Sequence, residues 1–144
     1  MTEPTFTLRP ADATDIARLS AADPRLETEA DRARTVDELL GLGLSWLAEE
    51  DGEAIGYALV SRHFFARPFV DLLVVAEAHR RRGVGTALMA ACEAAHDDDR
   101  MFTSTNESNQ PMRALLALAG WQVSGVIENL DPGDPELVFV KFRP

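Results

Sequence analysis

Near the middle of the chain, one segment limits the possible folds more than any other. Residues 69–75 are apolar apart from Asp71, which predicts a central strand covered on both faces. After a short loop, an arginine- and glycine-rich turn at residues 80–86 leads into a stretch whose apolar positions recur at helical spacing. The chain must therefore build a buried strand, a tight turn and a helix in direct succession.

The turn at residues 80–86 has the chemistry of a phosphate-binding site. The first N–H groups of a helix have no partner within the helix, and the helix dipole adds partial positive charge, so this end binds pyrophosphate. Glycine lets a phosphate approach the backbone, and arginine supplies positive charge. The candidate coenzyme-binding residues of the turn are Arg80, Arg81, Arg82, Gly83, Val84, Gly85 and Thr86.

Two other phosphate-binding turns fit this segment poorly. A P-loop is excluded because the chain contains no Gly-Lys-Ser/Thr. A dinucleotide-binding turn needs a third glycine or alanine where Leu88 stands, and it follows the first strand of its unit rather than lying halfway along the chain. A plain strand–helix turn without a ligand is the remaining alternative, and the three arginines count against it.

The length and composition of the chain indicate one globular domain, residues 1–144, with 46% apolar and 26% charged residues. The single cysteine, Cys92, cannot form an internal disulfide, which favours a reducing compartment. We see neither a signal peptide nor a membrane-length apolar run, so we expect a cytoplasmic protein with no membrane partner. The net charge of −10 argues against a nucleic-acid partner and is compatible with a cationic substrate.

Patterning along the chain predicts alternating strands and helices without internal repeats. The predicted strands are 6–9, 45–49, 54–60, 69–75, 101–105, 121–127 and 136–142. The predicted helices run from Asp12 or Thr14 to about Leu19, from Glu27 to Leu40, from Val84 to Ala95 and from Pro111 to Gly120. Asp51 and Gly52 predict a tight hairpin between the second and third strands. This order indicates a mixed α/β, or α+β, sheet with helices packed on it.

Two motifs together resemble those of the GNAT superfamily of N-acetyltransferases. The pattern Val75-x4-Arg80-x-Arg82-Gly83-Val84-Gly85 resembles the coenzyme A signature of that family, Arg/Gln-x-x-Gly-x-Gly/Ala. Residues 103–109, the following helix and Gly120-Trp121 resemble its later strand, asparagine-started helix and closing glycine-aromatic pair. The resemblance implies a GNAT-like single domain with a mostly antiparallel twisted sheet of about seven strands, four helices, and fourth and fifth strands that splay apart.

The resemblance also implies where the coenzyme lies. Acetyl-CoA is the expected co-substrate, and no metal is expected. Backbone groups of Leu73, Val74 and Val75 should pair with the pantetheine arm as an added strand would. The amides of residues 81–86 should hold the pyrophosphate, and Asn109 should hydrogen-bond the pantetheine near its thiol. One amide near Val75 would face the thioester oxygen.

The family pattern fails at two catalytic positions. Where many members carry a tyrosine that protonates the departing thiolate, this chain has Leu116. Where some carry a glutamate base, it has Ser104. Our candidate catalytic residues are Ser104, Asp71 and Glu107, each of which could instead be a solvated polar residue. His63 is a weaker candidate, and Tyr57 and Cys92 are expected in the core.

The expected activity is transfer of an acetyl group from acetyl-CoA to a primary amine by direct attack. Proximity and orientation supply much of the rate in such a reaction, and a water chain can take the proton. The acceptor would be a small molecule or a peptide, and a homodimer is left open. Acidic residues around the last hairpin, Glu128, Asp131, Asp134 and Glu136, either border the acceptor pocket or form a solvated turn. The alternative function, favoured by Leu116 and Ser104, is a catalytically weak CoA-binding sensor or interaction module.

Overall fold

The apolar run at the middle of the chain becomes the central strand of a seven-stranded sheet with the order β1-β2-β3-β4-β5-β7-β6. A computed structural model of the protein describes residues 5–144. The strands are β1 (Thr7–Ala11), β2 (Ser45–Glu50), β3 (Glu53–Phe64), β4 (Arg67–Val75), β5 (Arg100–Asn106), β6 (Gln122–Ile127) and β7 (Glu136–Phe142). All neighbours are antiparallel except β4 and β5, which confirms the expected mixed, mostly antiparallel sheet.

Within residues 5–144, four α-helices pack on this sheet: α1 (Ile16–Leu19), α2 (Ala30–Leu40), α3 (Val84–Ala94) and α4 (Gln110–Leu118). Asp12 caps the short 3-10 turn that precedes α1 by accepting a hydrogen bond from the Thr14 amide. The second helix begins at Ala30 rather than at Glu27 as predicted, because Glu29 is extended, with φ −119° and ψ 97°. The hairpin prediction is confirmed by positive φ angles at Asp51 and Gly52.

Each face of the sheet has its own apolar core. One core contains residues of α3 and α4 with alternate residues of the sheet, among them Val84, Leu88, Cys92, Met101 and Leu116. The other contains α1, α2 and the opposite face of β2 and β3, with Leu19, Val36, Leu40, Leu47 and Tyr57. Residues of β4 alternate between the two cores, so the prediction of a strand covered on both faces is confirmed.

The parallel pair at the centre of the sheet is short. β4 and β5 pair only through Phe69 with Phe102 and Val70 with Thr103, and the Thr103 hydroxyl also donates to the Val70 carbonyl at 2.8 Å. Beyond Val70 no strand within residues 5–144 pairs with β4 on its β5 side, so the two strands diverge toward their C-terminal ends. The expected splay of the fourth and fifth strands is therefore confirmed.

A β-bulge lies at the point where the strands begin to diverge. Leu59 pairs with Leu72 while Val60 pairs with Val70, which leaves Asp71 as the extra residue in β4. Such a bulge interrupts the ladder and turns the strand locally. The gap between β4 and β5 thus starts beside Asp71 and widens toward the turn that precedes α3.

Candidate coenzyme and acceptor site

The turn between β4 and α3 has two residues in the left-handed region, Arg81 with φ 65° and Gly83 with φ 82°. Gly83 is the N-cap of α3, and its carbonyl accepts the Ala87 amide at 3.0 Å. The cap has no side-chain hydrogen bond, so the first amides of α3, those of Val84, Gly85 and Thr86, have no partner within the helix. These donors and the helix dipole lie beside the end of β4, where an anion would be stabilised.

The two glycines of the turn serve different needs. A Cβ added at Gly83 would meet no atom within 4 Å, so this glycine is required by its backbone angle and leaves open space beside the amides. A Cβ at Gly85 would lie 3.0 Å from Leu115 Cδ1 and 3.6 Å from Val75 Cγ2. Gly85 therefore allows α3 to pack closely against α4 and β4, a contact that the sequence alone did not indicate.

The three arginines of the turn also differ. Arg82 forms an ion pair with Glu50 at the end of β2, and it contacts Thr5 Oγ1 and His79 Nδ1, each at 2.6 Å. This arginine holds the pKa of the Glu50 carboxyl at about 2. Arg80 Nε donates to the Val75 carbonyl at 3.3 Å. Within residues 5–144, the exposed Arg81 side chain has no hydrogen bond or ion pair, so it is the arginine most available to a ligand.

Asn109 lies across the gap from β4, at the N-cap of α4. Its side-chain carbonyl accepts a hydrogen bond from the Met112 amide at 3.2 Å, and its Nδ2 donates to Thr105 Oγ1 at 3.0 Å. These bonds fix the side chain at the C-terminal end of β5 and engage one of the two Nδ2 hydrogens. The second hydrogen could serve a ligand, so the predicted contact with pantetheine stays a prediction.

Two candidate catalytic residues, Ser104 and Asp71, lie on the two sides of the gap, and Ser104 is on the sheet face opposite α3 and α4. Ser104 lies on this face, because the alternate residues Met101 and Thr103 are buried on the other. The Ser104 hydroxyl donates to Glu136 Oε2 at 2.7 Å. Asp71 occupies the bulge of β4 at the other side of the gap, and its side chain is exposed. Desolvation by its neighbours raises the pKa of Asp71, whereas the Ser61 hydroxyl and His63 oppose the rise.

The acidic residues at the last hairpin do not form one cluster. Asp131 accepts a hydrogen bond from Asn106 Nδ2 at 2.9 Å, and Asp134 accepts from the Ser108 hydroxyl at 2.6 Å. These two carboxylates therefore tie the β6–β7 loop to the segment that links β5 and α4. Glu136 is the member of the group that contacts a candidate catalytic residue, Ser104.

Similarity to known proteins agrees with this geometry. The sequence profile of the acetyltransferase (GNAT) family matches residues 12–121, which is more than half of the chain. The chain belongs to the GNAT acetyltransferase family. It is accordingly an acyl-CoA-dependent acetyltransferase, and acetyl-CoA is the co-substrate that this family uses.

Solved structures of other GNAT proteins share the whole fold of this acetyltransferase. A GNAT acetyltransferase from Bacillus cereus ATCC 10987 is 27% identical, with a TM-score of 0.88 over 96% of this chain and 98% of that one. Diaminobutyrate acetyltransferase from Paenibacillus lautus, solved with L-2,4-diaminobutyric acid and coenzyme A, is 20% identical, with a TM-score of 0.72 over 96% and 95% of the two chains.

The ribosomal-protein-S18-alanine N-acetyltransferase from Escherichia coli is 16% identical, with a TM-score of 0.77 over 94% and 92% of the two chains. At these identities, the last two likenesses show the fold alone. No curated protein matches the sequence.

Neither Leu116 nor Tyr57 can supply an acid at the gap, because both lie inside the cores of the acetyltransferase. Leu116, which stands where the family pattern has a tyrosine, is completely buried in the core that contains residues of α3 and α4 and has no proton to donate. Tyr57 is also completely buried in the other core, and this burial, together with the hydrogen bond that its hydroxyl donates to Asp23, raises its pKa. Burial likewise raises the pKa of the Cys92 thiol to about 12. The expectation that Tyr57 and Cys92 are core residues is confirmed.

Glu107 is placed differently from the other two catalytic candidates. Its amide donates to the Pro135 carbonyl at 2.8 Å, its carbonyl accepts from Arg113 at 2.8 Å, and its side chain is exposed. The structure thus brings Ser104 and Glu136 together, sets Asp71 at the bulge, and leaves Glu107 on the connecting loop. Within residues 5–144, no group of three His, Cys, Asp or Glu side chains could hold a metal ion, and no helix could span a membrane.

Proposed function

We propose that this acetyltransferase moves an acetyl group from acetyl-CoA to a primary amine by direct attack, without a covalent enzyme intermediate. The observation that carries the proposal is the gap beside β4, which is unpaired beyond Val70 and leads directly to the N-terminus of α3. An extended pantetheine arm can add to a free strand edge, and a pyrophosphate can bind a helix N-terminus. The two halves of coenzyme A therefore have consecutive places along one path.

In this arrangement, each candidate coenzyme residue has a separate role. Backbone groups of Leu73, Val74 and Val75 hold the pantetheine arm, and the amides of residues 81–86 hold the pyrophosphate. Arg81 supplies positive charge to the phosphates because its side chain has no other partner within residues 5–144. Arg82 instead braces the turn against β2 through Glu50. Asn109 would contact the pantetheine from the opposite side of the gap.

The acceptor is proposed to be a cationic amine, either a small molecule or a peptide. The chain has a net charge of −10, and Glu136 and Asp71 are carboxylates beside the gap. An anionic cleft attracts a cationic substrate and lowers the energy of a second positive group close to the reacting amine. Structural neighbours named for acetylation of diaminobutyrate and of an alanine in a ribosomal protein illustrate both acceptor types.

The reaction needs a neutral amine and a nearby proton acceptor. The amine nitrogen attacks the thioester carbon, the C–S bond breaks, and the sulfur leaves as the thiolate of coenzyme A. The proton lost by the amine passes to water or to a carboxylate. Asp71 suits the second route because its raised pKa makes it a better proton acceptor than a fully solvated aspartate. Ser104 acts only by orienting Glu136 or the acceptor.

Coenzyme binding and turnover can be tested separately. Acetyl-CoA at one hundred times its dissociation constant should stabilise the fold by about 2.7 kcal/mol, which thermal melting would detect. NAD and ATP serve as matched ligands that should not stabilise it. Thiol release is then measured with polyamines, amino acids, peptides and protein lysines. A protein that binds acetyl-CoA but releases thiol with no amine would be the sensor or interaction module, and the absence of binding would contradict both functions.

A further inference from the structure

Four phenylalanine rings form an aromatic patch, Phe64, Phe65, Phe69 and Phe102, on the sheet face opposite α3 and α4. The ring of Phe64 is central. It stacks on Phe69 with the centroids 4.9 Å apart, and its centroid lies 5.2 Å from that of Phe102. Phe65 makes an edge contact with Phe64 at 5.0 Å. Phe69 pairs with Phe102 across β4 and β5, and the next residue, Val70, is buried in the core of α3 and α4, so both rings lie on the other face.

The aromatic patch lies outside both apolar cores. On this face α1 and α2 pack on β2 and β3, and the core that they form includes no residue of β5 or β7 within residues 5–144. Phe64, Phe69 and Phe102 are half-buried against one another, whereas Phe65 is 85% exposed. Contiguous exposed apolar surface of this kind marks binding sites more often than it serves folding. The patch is therefore available to a ligand.

The hairpin turn beside the patch carries an aromatic residue against the preference of its own backbone. Phe65 and Ala66 form the two-residue loop between β3 and β4, and their φ angles are 54° and 62°. Loops of this type favour Asn-Gly, because a residue with a Cβ is strained at positive φ. The turn thus holds a large exposed ring where glycine or asparagine would cost less free energy. Stability of the turn does not account for Phe65, whereas contact with a ligand would.

The aromatic patch continues into the proposed acceptor site. Asp71 follows Phe69 on β4 and Ser104 follows Phe102 on β5, in each case two residues farther toward the gap, which is about 6.6 Å along a strand. The Ser104 hydroxyl donates to Glu136 Oε2 at 2.7 Å. Two carboxylates, those of Asp71 and Glu136, therefore lie at the end of the patch nearest the gap, where they attract an ammonium group. An acceptor that spans this distance has its nitrogen at the gap and its remaining atoms on the rings.

We propose that the acceptor is a primary amine with a bulky apolar group, such as an aromatic ring, a few carbon atoms from its nitrogen, and that the aromatic patch binds this group. The inference rests on the proposed function, because it concerns the acceptor of that reaction. A ring of the acceptor can pack on the phenylalanines edge-to-face or offset, and it covers apolar surface that is otherwise in water. Phe64 and Phe69 stack on each other, so they do not enclose a cation as an aromatic cage would. The patch therefore favours an apolar group over the second charge of a polyamine.

Amines that differ only beyond their shared ethylamine unit test the proposal. Phenylethylamine carries a ring at that place and ethanolamine carries a hydroxyl. The wild-type kcat/KM, measured as thiol release from acetyl-CoA, should be about tenfold or more higher for phenylethylamine, because burial of an apolar side chain of this size is worth at least that factor. Spermidine, a polyamine, should be no better than ethanolamine. Equal kcat/KM values for the three amines would overturn the proposal.

Variants of the rings assign the preference to the patch. Phe102→Ala should lower the ratio of the two kcat/KM values, phenylethylamine over ethanolamine, toward one. Phe142→Ala is the matched control, since Phe142 is 50% exposed at the end of β7 and its ring lies 5.2 Å from the Arg100 guanidinium. The control should keep the wild-type ratio. If thermal melting shows that Phe102→Ala does not fold, Phe65→Gly replaces it, because glycine removes an exposed ring and also relieves the positive φ. This variant should also lower the ratio.

Binding without turnover separates the patch from the reaction. Phenylethylamine is titrated by calorimetry into protein saturated with coenzyme A, which has no acetyl group to transfer. Binding that Phe102→Ala weakens, with no thiol release from any amine, would support the apolar site and contradict the proposed reaction. Thiol release with an unchanged ratio in folded Phe102→Ala would overturn the patch and leave the reaction standing. Neither binding nor release with any of the three amines would contradict both.

Discussion

At the scale of single residues, identical residues of the coenzyme turn have different structural roles. Gly83 and Gly85 are two positions apart, yet one is required by a left-handed backbone and the other by contact with Leu115. Arg81 and Arg82 are adjacent, yet Arg82 is bound by Glu50 and Arg81 has no side-chain partner within residues 5–144. Substitutions at these pairs should therefore separate folding from ligand binding.

Replacing Gly83 should mainly weaken acetyl-CoA binding, whereas replacing Gly85 should mainly lower the stability of the fold. Gly83→Ala must hold a left-handed conformation, which costs about 1–2 kcal/mol, and its methyl group would occupy the space beside the amides. Gly85→Val should cost about 1–3 kcal/mol by overpacking against Leu115. Urea unfolding and acetyl-CoA titration measure the two effects. We expect Gly83→Ala to lose more affinity than its stability loss explains, and wild-type stability of Gly85→Val would contradict the packing role.

The two arginines provide a matched pair for the phosphate contact. Arg81→Ala should raise the KM for acetyl-CoA about ten- to a hundredfold, since a hydrogen bond to a charged group is worth about 1.5–3 kcal/mol, and leave the melting temperature unchanged. Added salt should weaken wild-type binding more than binding by this variant, because the exposed charge is screened. Glu50→Gln releases Arg82 and should disturb the turn without removing a phosphate contact. An unchanged KM in Arg81→Ala would show that the backbone amides alone bind the phosphates.

At the scale of secondary-structure elements, the segment between α1 and α2 is fastened to the sheet through a buried polar group. Asp23 is 3% exposed, accepts a hydrogen bond from Tyr57 Oη and forms an ion pair with Arg32 Nε at 2.8 Å. Tyr57→Phe removes one donor to this carboxylate and should lower the free energy of unfolding by about 1–3 kcal/mol. Chemical denaturation measures the loss. Thr28→Val, a change at an exposed site in the same segment, should be nearly neutral.

The sequence predicted the elements better than it predicted how they contact one another. Apolar spacing and the Asp51-Gly52 hairpin located the seven strands and four helices of residues 5–144, and the resemblance to the GNAT family implied the splayed strands. The turn at Phe65 and Ala66 was missed because both residues have positive φ angles, 54° and 62°, that their side chains disfavour. The bulge at Asp71 and the Arg82–Glu50 pair were also missed. Both depend on residues distant in the chain, which no local pattern encodes.

At the scale of the whole molecule, catalysis would come from positioning the reactants in the gap between β4 and β5 rather than from a general acid. Leu116 is buried and has no proton, and the hydrogen-bonded Tyr57 lies in the other core with a raised pKa. The thiol of coenzyme A resembles that of free cysteine, with a pKa of about 8.5, so its thiolate leaves with little help at neutral pH. The larger obstacle is the amine, because an alkyl ammonium has a pKa of about 10.4.

This argument predicts the shape of the pH–rate profile. The value of kcat/KM should rise with pH as the acceptor amine loses its proton, and it should not fall in alkali through loss of an enzymatic acid. Asp71 has a pKa raised by desolvation, so it binds a proton at a higher pH than a free aspartate and can act as a base only above that pKa. Any contribution from Asp71 would therefore appear as an increase on the acidic limb of the profile, which Asp71→Asn would remove.

Variants of the three catalytic candidates show whether positioning the amine beside the thioester is sufficient for turnover. Ser104→Ala, Asp71→Asn and Glu107→Gln should each keep measurable turnover, with a loss of about a hundredfold at most for a residue that assists as a base. Leu116→Tyr adds the phenol that other family members have, but at a completely buried position, so we expect a loss of stability rather than a gain in rate. The measurements are kcat/KM against pH, coenzyme affinity and melting temperature for each variant. If one substitution abolishes turnover while affinity and melting temperature stay normal, that residue is an essential catalyst, because a merely positioned amine would still react in its absence.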